Sequence, residues 1–322
     1  MFSKFKITLL LLLINVTTIL SQQVPFSNQY LVNRHFLSPA YAGISNNFEA
    51  FLSYQTSTFD FPGGPQYTSL YLSGPIFQNM SLGVSVSKSS VTIFNAFSSQ
   101  LYYAYHLKIS EKQFIHFGLS YEYSENYLGS DNQQNSSQND PYISKSGFSV
   151  NTGFGLIYTY KTFQVGVSIP RMLGAYIRNS KLLDQSSFYP LNYSIPRLYR
   201  IHASYLLELS HAFSLEPVVI VDQSDTDPLW YSVSTSIRYR EMPWFEVHYQ
   251  AGGIMGASLG LSPTKKMLFH YTYQFASSGL MKYSSGNHEI TIGFILGKVN
   301  DQKYQKSAFR PLPKQPYYDW IK

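Results

Sequence analysis

The chain contains no cysteine. Disulfide staples, thiolate metal centres and a lipidated N-terminal cysteine are therefore excluded, and the fold must rest on packing and hydrogen bonds. Charge is scarce too: only 13% of the 322 residues are Asp, Glu, Lys or Arg, about half the usual share for a soluble domain. A membrane helix needs roughly 18 or more consecutive apolar residues. The apolar run Ile7 to Ile14 falls far short of that. No Lys/Arg cluster marks a nucleic-acid surface.

That short run lies behind Lys4 and Lys6 and leads into Val16 to Ser21. The layout is that of a secretory signal peptide over 1–21, with Gln22 first in the exported chain. Loss of Lys4 and Lys6 takes the net charge from +6 to +4, since 24 basic residues become 22 against 18 acidic ones. So small an excess, spread along the chain, reads as surface and turn charge.

What the chain has is aromatic side chains, 17% of all residues, set in long alternating stretches. Met267, Phe269, Tyr271, Tyr273 and Phe275 share one side of an expected strand, and Leu268, His270, Thr272, Gln274 and Ala276 share the other. Ile115, Phe117, Leu119, Tyr121 and Tyr123 alternate in the same way with His116, Gly118, Ser120, Glu122 and Ser124. Equivalent patterns run through Leu82 to Ser87, Phe163 to Ile169, Tyr199 to Glu208 and Glu289 to Leu296. Period 2 over about ten residues is what a strand needs to cross a bilayer with lipid on one face and a polar interior on the other. Lipid tolerates no unpaired sheet edge, so about fourteen such strands imply one closed antiparallel up-and-down barrel spanning 48–298. The connections sort by parity. Those after even strands, near Phe77, Ser110, Lys161, Ser210, Glu241 and Thr264, are brief, whereas Asn126 to Gly147 and Arg171 to Pro196 are long. Transmembrane barrels sort their connections this way, with short periplasmic turns and longer external loops.

Inward positions are expected to hold Glu122, Arg200, His202, Glu208, Arg238, Glu246, His248, His270 and Glu289. Mixed signs across a narrow lumen pair better than they select ions, which favours a plugged or occluded barrel over an open pore. The loop Arg171 to Pro196 carries Tyr176, Phe188 and Tyr189 among other apolar residues. It could fold inward, dock a partner or lie on its own rim. By strand parity, residues 22–47 and 299–322 belong to the periplasm. The tail, with Pro313, Tyr317, Tyr318 and Trp320, suits either a periplasmic partner or a strap across the barrel mouth.

Chemistry is hard to find. His202 with Ser204, and His211 near Ser210 and Ser214, are the nearest approaches to a nucleophile and base, and a serine-rich chain produces such neighbours by chance. Glu246, His248 and Gln250 share a strand face, where a hydrogen-bonding role outweighs a metal site. Gly252, Gly253 and Gly256 lack the Lys and helix of a phosphate loop and read as a tight turn. Neither an enzyme nor a cofactor is expected.

One segment carries a resemblance. Gln29, Tyr30 and Asn33, followed by Leu37, Ser38, Pro39, Ala40, Tyr41, Ala42 and Gly43, resemble the opening of the PorP/SprF family of Bacteroidetes outer-membrane proteins, with Ser38 where Asn is usual. Phe61 to Thr68 with Gly74 and Pro75 resemble the next block, although the usual Arg and Trp are replaced near Ser53 to Ser57. Gly286, Asn287, His288, Glu289 and Ile290 resemble the element at the last strand. The resemblance implies a non-catalytic barrel of the type IX secretion and gliding machinery, anchoring or helping to export a surface adhesin or other cargo and contacting periplasmic components. Within that frame the Pro39 to Gly43 turn is expected to pin the N-terminal segment at the periplasmic mouth. The two long loops are expected to hold the secreted partner, with Arg171 at the base of one. An outer-membrane barrel transporting a small or hydrophobic solute is the alternative.

Overall fold

The computed structural model describes residues 28–57, 64–92, 94–128, 146–174, 178–179, 195–210, 212–240, 243–276 and 286–298. Fourteen antiparallel strands form the wall: β1 (Phe48–Ser57), β2 (Gln66–Phe77), β3 (Met80–Val91), β4 (Phe94–Ser110), β5 (Gln113–Leu128), β6 (Ser146–Tyr160), β7 (Phe163–Arg171), β8 (Leu198–Tyr205), β9 (Phe213–Ser224), β10 (Trp230–Tyr239), β11 (Pro243–Gln250), β12 (Ile254–Thr264), β13 (Met267–Ala276) and β14 (Asn287–Leu296). Two two-residue pieces, Arg178–Asn179 on β6 and Leu207–Glu208 on β9, extend the ladder. Each strand pairs with its sequence neighbours, and β1 pairs with β14 from Phe48↔Leu296 to Ser57↔Asn287, so the sheet closes without an edge.

The alternation is realised as expected. Phe117, Leu119, Tyr121 and Tyr123 on β5, and Phe269, Tyr271, Tyr273 and Phe275 on β13, are exposed, while His116, Leu268, His270, Thr272 and Gln274 are buried. The exposed face is apolar because it meets lipid, and the buried face is polar because it meets the lumen. Glu122, Arg200, His202, Arg238, Glu246, His248, His270 and Glu289 all lie on inward positions. Glu208 keeps this parity, pairing with buried Ser214, but it stands at the rim and is exposed there.

The short connections, at 78–79, 111–112, 161–162, 206–212, 240–242 and 265–266, share one rim with the start of β1 and the end of β14. The strand ends that flank 129–145, 172–197 and 277–286 lie at the other rim, as do those that flank the brief connections 92–93 and 251–253. Wall height is uneven: β4, β5 and β6 have 17, 16 and 15 residues, but β7 and β8 only 9 and 8. Pro170 lacks an N–H, and the β7–β8 register slips between Ser168 and Arg171.

Leu119, 54% exposed in the middle of β5, tests which face meets lipid. Leu119→Arg is expected to destabilise the barrel by about 2–4 kcal/mol in urea titrations in lipid vesicles, the cost of a cation near the bilayer midplane. An unchanged midpoint would show that this face does not meet lipid.

Candidate functional site

The largest departure from expectation concerns the N-terminal segment. A piece of chain at the periplasmic mouth would leave its side chains half exposed. Instead the described residues 28–47 pass inside the ring of strands, and Tyr30, Asn33, His35, Leu37, Pro39, Ala40 and Tyr41 are all buried. Three single-turn 3-10 helices, Asn28–Leu31, Arg34–Phe36 and Pro39–Tyr41, fold the segment tightly enough to fit. Gln29 belongs to the first of these. Ser38 begins the third, where its Oγ accepts from the Ala40 N–H at 3.3 Å. Asn caps in the same way, so the departure at Ser38 keeps the function of that position.

The wall is shaped to receive this turn. Gly118 on β5 and Gly155 on β6 are direct ladder partners. A Cβ on Gly118 would lie 2.1 Å from the Ala40 nitrogen, and one on Gly155 would lie 2.0 Å from Ser38 Oγ. The two glycines thus form a trough for Pro39 and Ala40. Gly43 leaves the turn at φ +64, and its N–H donates to Ser73 Oγ at 3.3 Å.

Polar contacts tie the segment around the ring. Tyr30 Oη shares a hydrogen bond of 3.0 Å with Ser232 Oγ on β10. Arg34 reaches Gln164 Oε1 at 2.9 Å and Ser204 Oγ at 3.2 Å, and pairs with Glu216. Tyr41 Oη lies 3.0 Å from His202 Nε2. Arg200 is bidentate to Asp222, at 2.7 and 2.6 Å, and also donates to the Phe36 carbonyl. Ser168 Oγ donates to the Leu37 carbonyl at 2.7 Å. His202 and Ser204 are thus both engaged with the segment, the former with Tyr41 and the latter with Arg34.

A histidine pair closes the lower side. His106 Nε2 is 3.1 Å from the Ala42 carbonyl, and the two Nδ1 atoms of His106 and His116 are 2.9 Å apart. A carbonyl only accepts, so His106 donates from Nε2. With one N–H per ring, His106 Nδ1 then accepts from His116 Nδ1, and His116 Nε2 accepts from the Thr159 hydroxyl at 3.2 Å. Thr159 in turn accepts from Gln164 Nε2 at 3.1 Å. One arrangement of hydrogens satisfies the whole chain, which runs from the segment's backbone back to the glutamine that holds Arg34.

His35 stacks on Tyr71 with ring centroids 3.7 Å apart, and burial holds its pKa well below 6.5. The unfolded chain therefore takes up a proton below pH 6.5 that the docked segment refuses. Stability is full above pH 6.5 and falls by about 1.4 kcal/mol per unit as pH drops below it toward the folded pKa. Comparing urea midpoints at pH 7.5 and 5.5 for the parent and His35→Phe tests this: the variant is expected to lose that part of the slope, and identical slopes would refute it.

On the long-loop side of the segment lies a cavity of about 390 Å³. Phe36, Ser38 and Pro39 contribute to its floor, and Tyr67, Gln100, Tyr102 and Glu122 to one wall. Arg171 and Arg200 face them from β7 and β8. Arg171 is the one partner candidate that falls in the described structure. Tyr176, Phe188, Tyr189, Pro313, Tyr317, Tyr318 and Trp320 lie outside the described residues, as do His211 and the 1–21 segment.

The remaining motif residues separate by face. Gly286 opens β14 at φ +95, where a Cβ would press on the Tyr273 ring. His288 points outward, with its Nδ1 2.8 Å from Tyr271 Oη, whereas Glu289 is buried in the lumen. Glu246 Oε2 meets His270 Nε2 at 2.9 Å, a structural pairing, and among the described residues no three ligating side chains gather to hold a metal. Ala251 to Gly253 form the tight turn between β11 and β12, with Gly252 and Gly253 at φ +88 and +77.

A closed wall with an apolar outer belt, a polar lumen and sorted connections defines the class: an outer-membrane β-barrel. Residues 19–294 match the family described as type IX secretion system membrane protein PorP/SprF, and the chain belongs to that family. No curated protein matches it. Similar solved structures include the CymD monoaromatic hydrocarbon channel, at 13% identity and TM-score 0.49 over 87% of this chain and 96% of that one. The P. putida toluene transporter TodX shares 10% identity at TM-score 0.49, over 84% of this chain and 95% of its own. A Pseudomonas aeruginosa FadL homologue shares 9% at TM-score 0.48, over 85% and 99%.

Proposed function

We propose that this protein is a non-conducting, non-catalytic outer-membrane subunit that holds a secreted surface protein, an adhesin or other type IX cargo, and meets periplasmic components of the apparatus at its short-turn rim. Family membership supports the secretion role. The packing of residues 28–47 across the lumen is the observation that carries the non-conducting part, because a filled barrel offers solutes no continuous water path. The loops 129–145 and 172–197 are the candidates for the cargo contact, and the tail 311–322, with Pro313, Tyr317, Tyr318 and Trp320, for the periplasmic one.

Purification of the tagged protein from native outer membranes, with a parallel liposome-swelling assay in sugar solutions, tests this reading. A co-purifying surface protein and no swelling are expected, and removal of 311–322 is expected to reduce display of that protein. Swelling without a bound partner would instead support the transport of a small solute, and unchanged display would remove the tail's assignment.

A further inference from the structure

The cavity above the segment is hollow because of particular residue choices. On β2 to β5 it is lined by Ser69, Ser85, Ser87, Ser98 and Ser120 together with the larger Tyr67, Gln100, Tyr102 and Glu122. Five serine hydroxyls thus face the cavity from four adjacent strands, with aromatic rings between them.

We propose that this vestibule binds a neutral saccharide, either a single ring or the end of a glycan. Its volume of about 390 Å³ falls within the usual range for small-ligand sites. Ser98 Oγ donates to Ser124 and Ser85 Oγ shares a hydrogen bond with Tyr102, and each keeps acceptor capacity that a ring hydroxyl can use. Phe36, Pro39, Tyr67 and Tyr102 add flat or apolar surface against which the C–H face of a sugar ring can lie. Both signs of charge are present in the lining. Glu122 and Arg171 line opposite sides of the cavity, and Arg200 is committed to Asp222 and the Phe36 carbonyl. An ionic ligand would leave one of these groups uncompensated, whereas an uncharged polar ligand would not. A peptide strand fits less well, because the backbone groups of the surrounding wall are committed to the barrel ladder and offer no edge to pair with. The inference does not depend on the cargo-holding role.

The absence of cysteine makes the test clean. The mature protein in detergent micelles is examined by saturation-transfer difference NMR with glucose, galactose, mannose, N-acetylglucosamine and lactose as probes. Ser98→Cys is labelled with a maleimide in the presence and absence of each. At least one probe is expected to show transfer to its ring protons and to slow labelling severalfold. Glu122→Gln is expected to weaken that probe's binding by about tenfold, the loss of a charge-assisted hydrogen bond. Ser85→Phe with Ser120→Phe is expected to abolish it while the protein keeps heat-modifiable migration on gels. Stronger transfer from lactose than from galactose would identify a glycan end, and the reverse a free ring. If no probe gives transfer with the unsubstituted protein, or if transfer occurs without slowing the labelling of Ser98→Cys, the proposal is overturned. Both readouts remain decisive should the double variant fail to fold.

Discussion

Deletion of residues 28–43 is expected to give a barrel with a stable open state in planar bilayers, where the parent is expected to carry no steady current. The wall closes through β1 and β14 without needing the segment, so the ring itself should survive. A barrel of this strand number whose interior is not filled by its own side chains leaves a water-filled lumen. Here the filling comes from Tyr30, Leu37, Ala40 and Tyr41, which pack with Ile157 and Ile220 of the wall, and from Val32 and Ala42, which pack with Phe51, Tyr102 and Leu268. Gly118→Leu offers the same result by a smaller change. Its side chain cannot coexist with the Ala40 backbone, so the Pro39 turn must lift from its trough and the lumen should open intermittently. A deletion variant that is folded by heat-modifiability but remains silent would show that another part of the chain closes the barrel.

The second large effect concerns the Arg200–Asp222 pair, whose side chains are 4% and 9% exposed. Arg200→Ala leaves a buried carboxylate without its partner and is expected to destabilise the protein by about 3–5 kcal/mol in urea unfolding in lipid vesicles. Arg200→Met combined with Asp222→Leu removes both charges at similar volume, and most of that loss should return. The Phe36 carbonyl, however, still lacks its donor in the double variant. The barrel should therefore be stable while the segment is held less firmly. A cysteine at Ser38, buried in the parent at 1% exposure, reads this out as faster maleimide labelling. Should the single and double variants be equally destabilised, the cost would lie in lost packing and not in the unpaired charge.

The alternation on β5 and β13, the polarity of the lumen and the sorting of connections were all legible in the residues, since a strand's two faces follow from its own local order. Even the receiving trough left a trace: Gly118 stands inward between His116 and Ser120, and Gly155 follows Gly153 on the inward face of β6. Their meaning was hidden, because nothing local says that the two align across β5 and β6 or that Pro39 reaches them.

Composition and period 2 by themselves determined a closed, lipid-facing barrel, because each strand's pattern is satisfied within about ten residues and lipid forbids an open edge. Only the tertiary structure decided where the N-terminal segment goes. Its partners lie far along the chain, Ser232 being 202 residues from Tyr30 and Glu216 182 from Arg34. Such contacts exist only once the curvature of the closed ring has brought opposite strands to face one volume, and no local periodicity encodes that meeting.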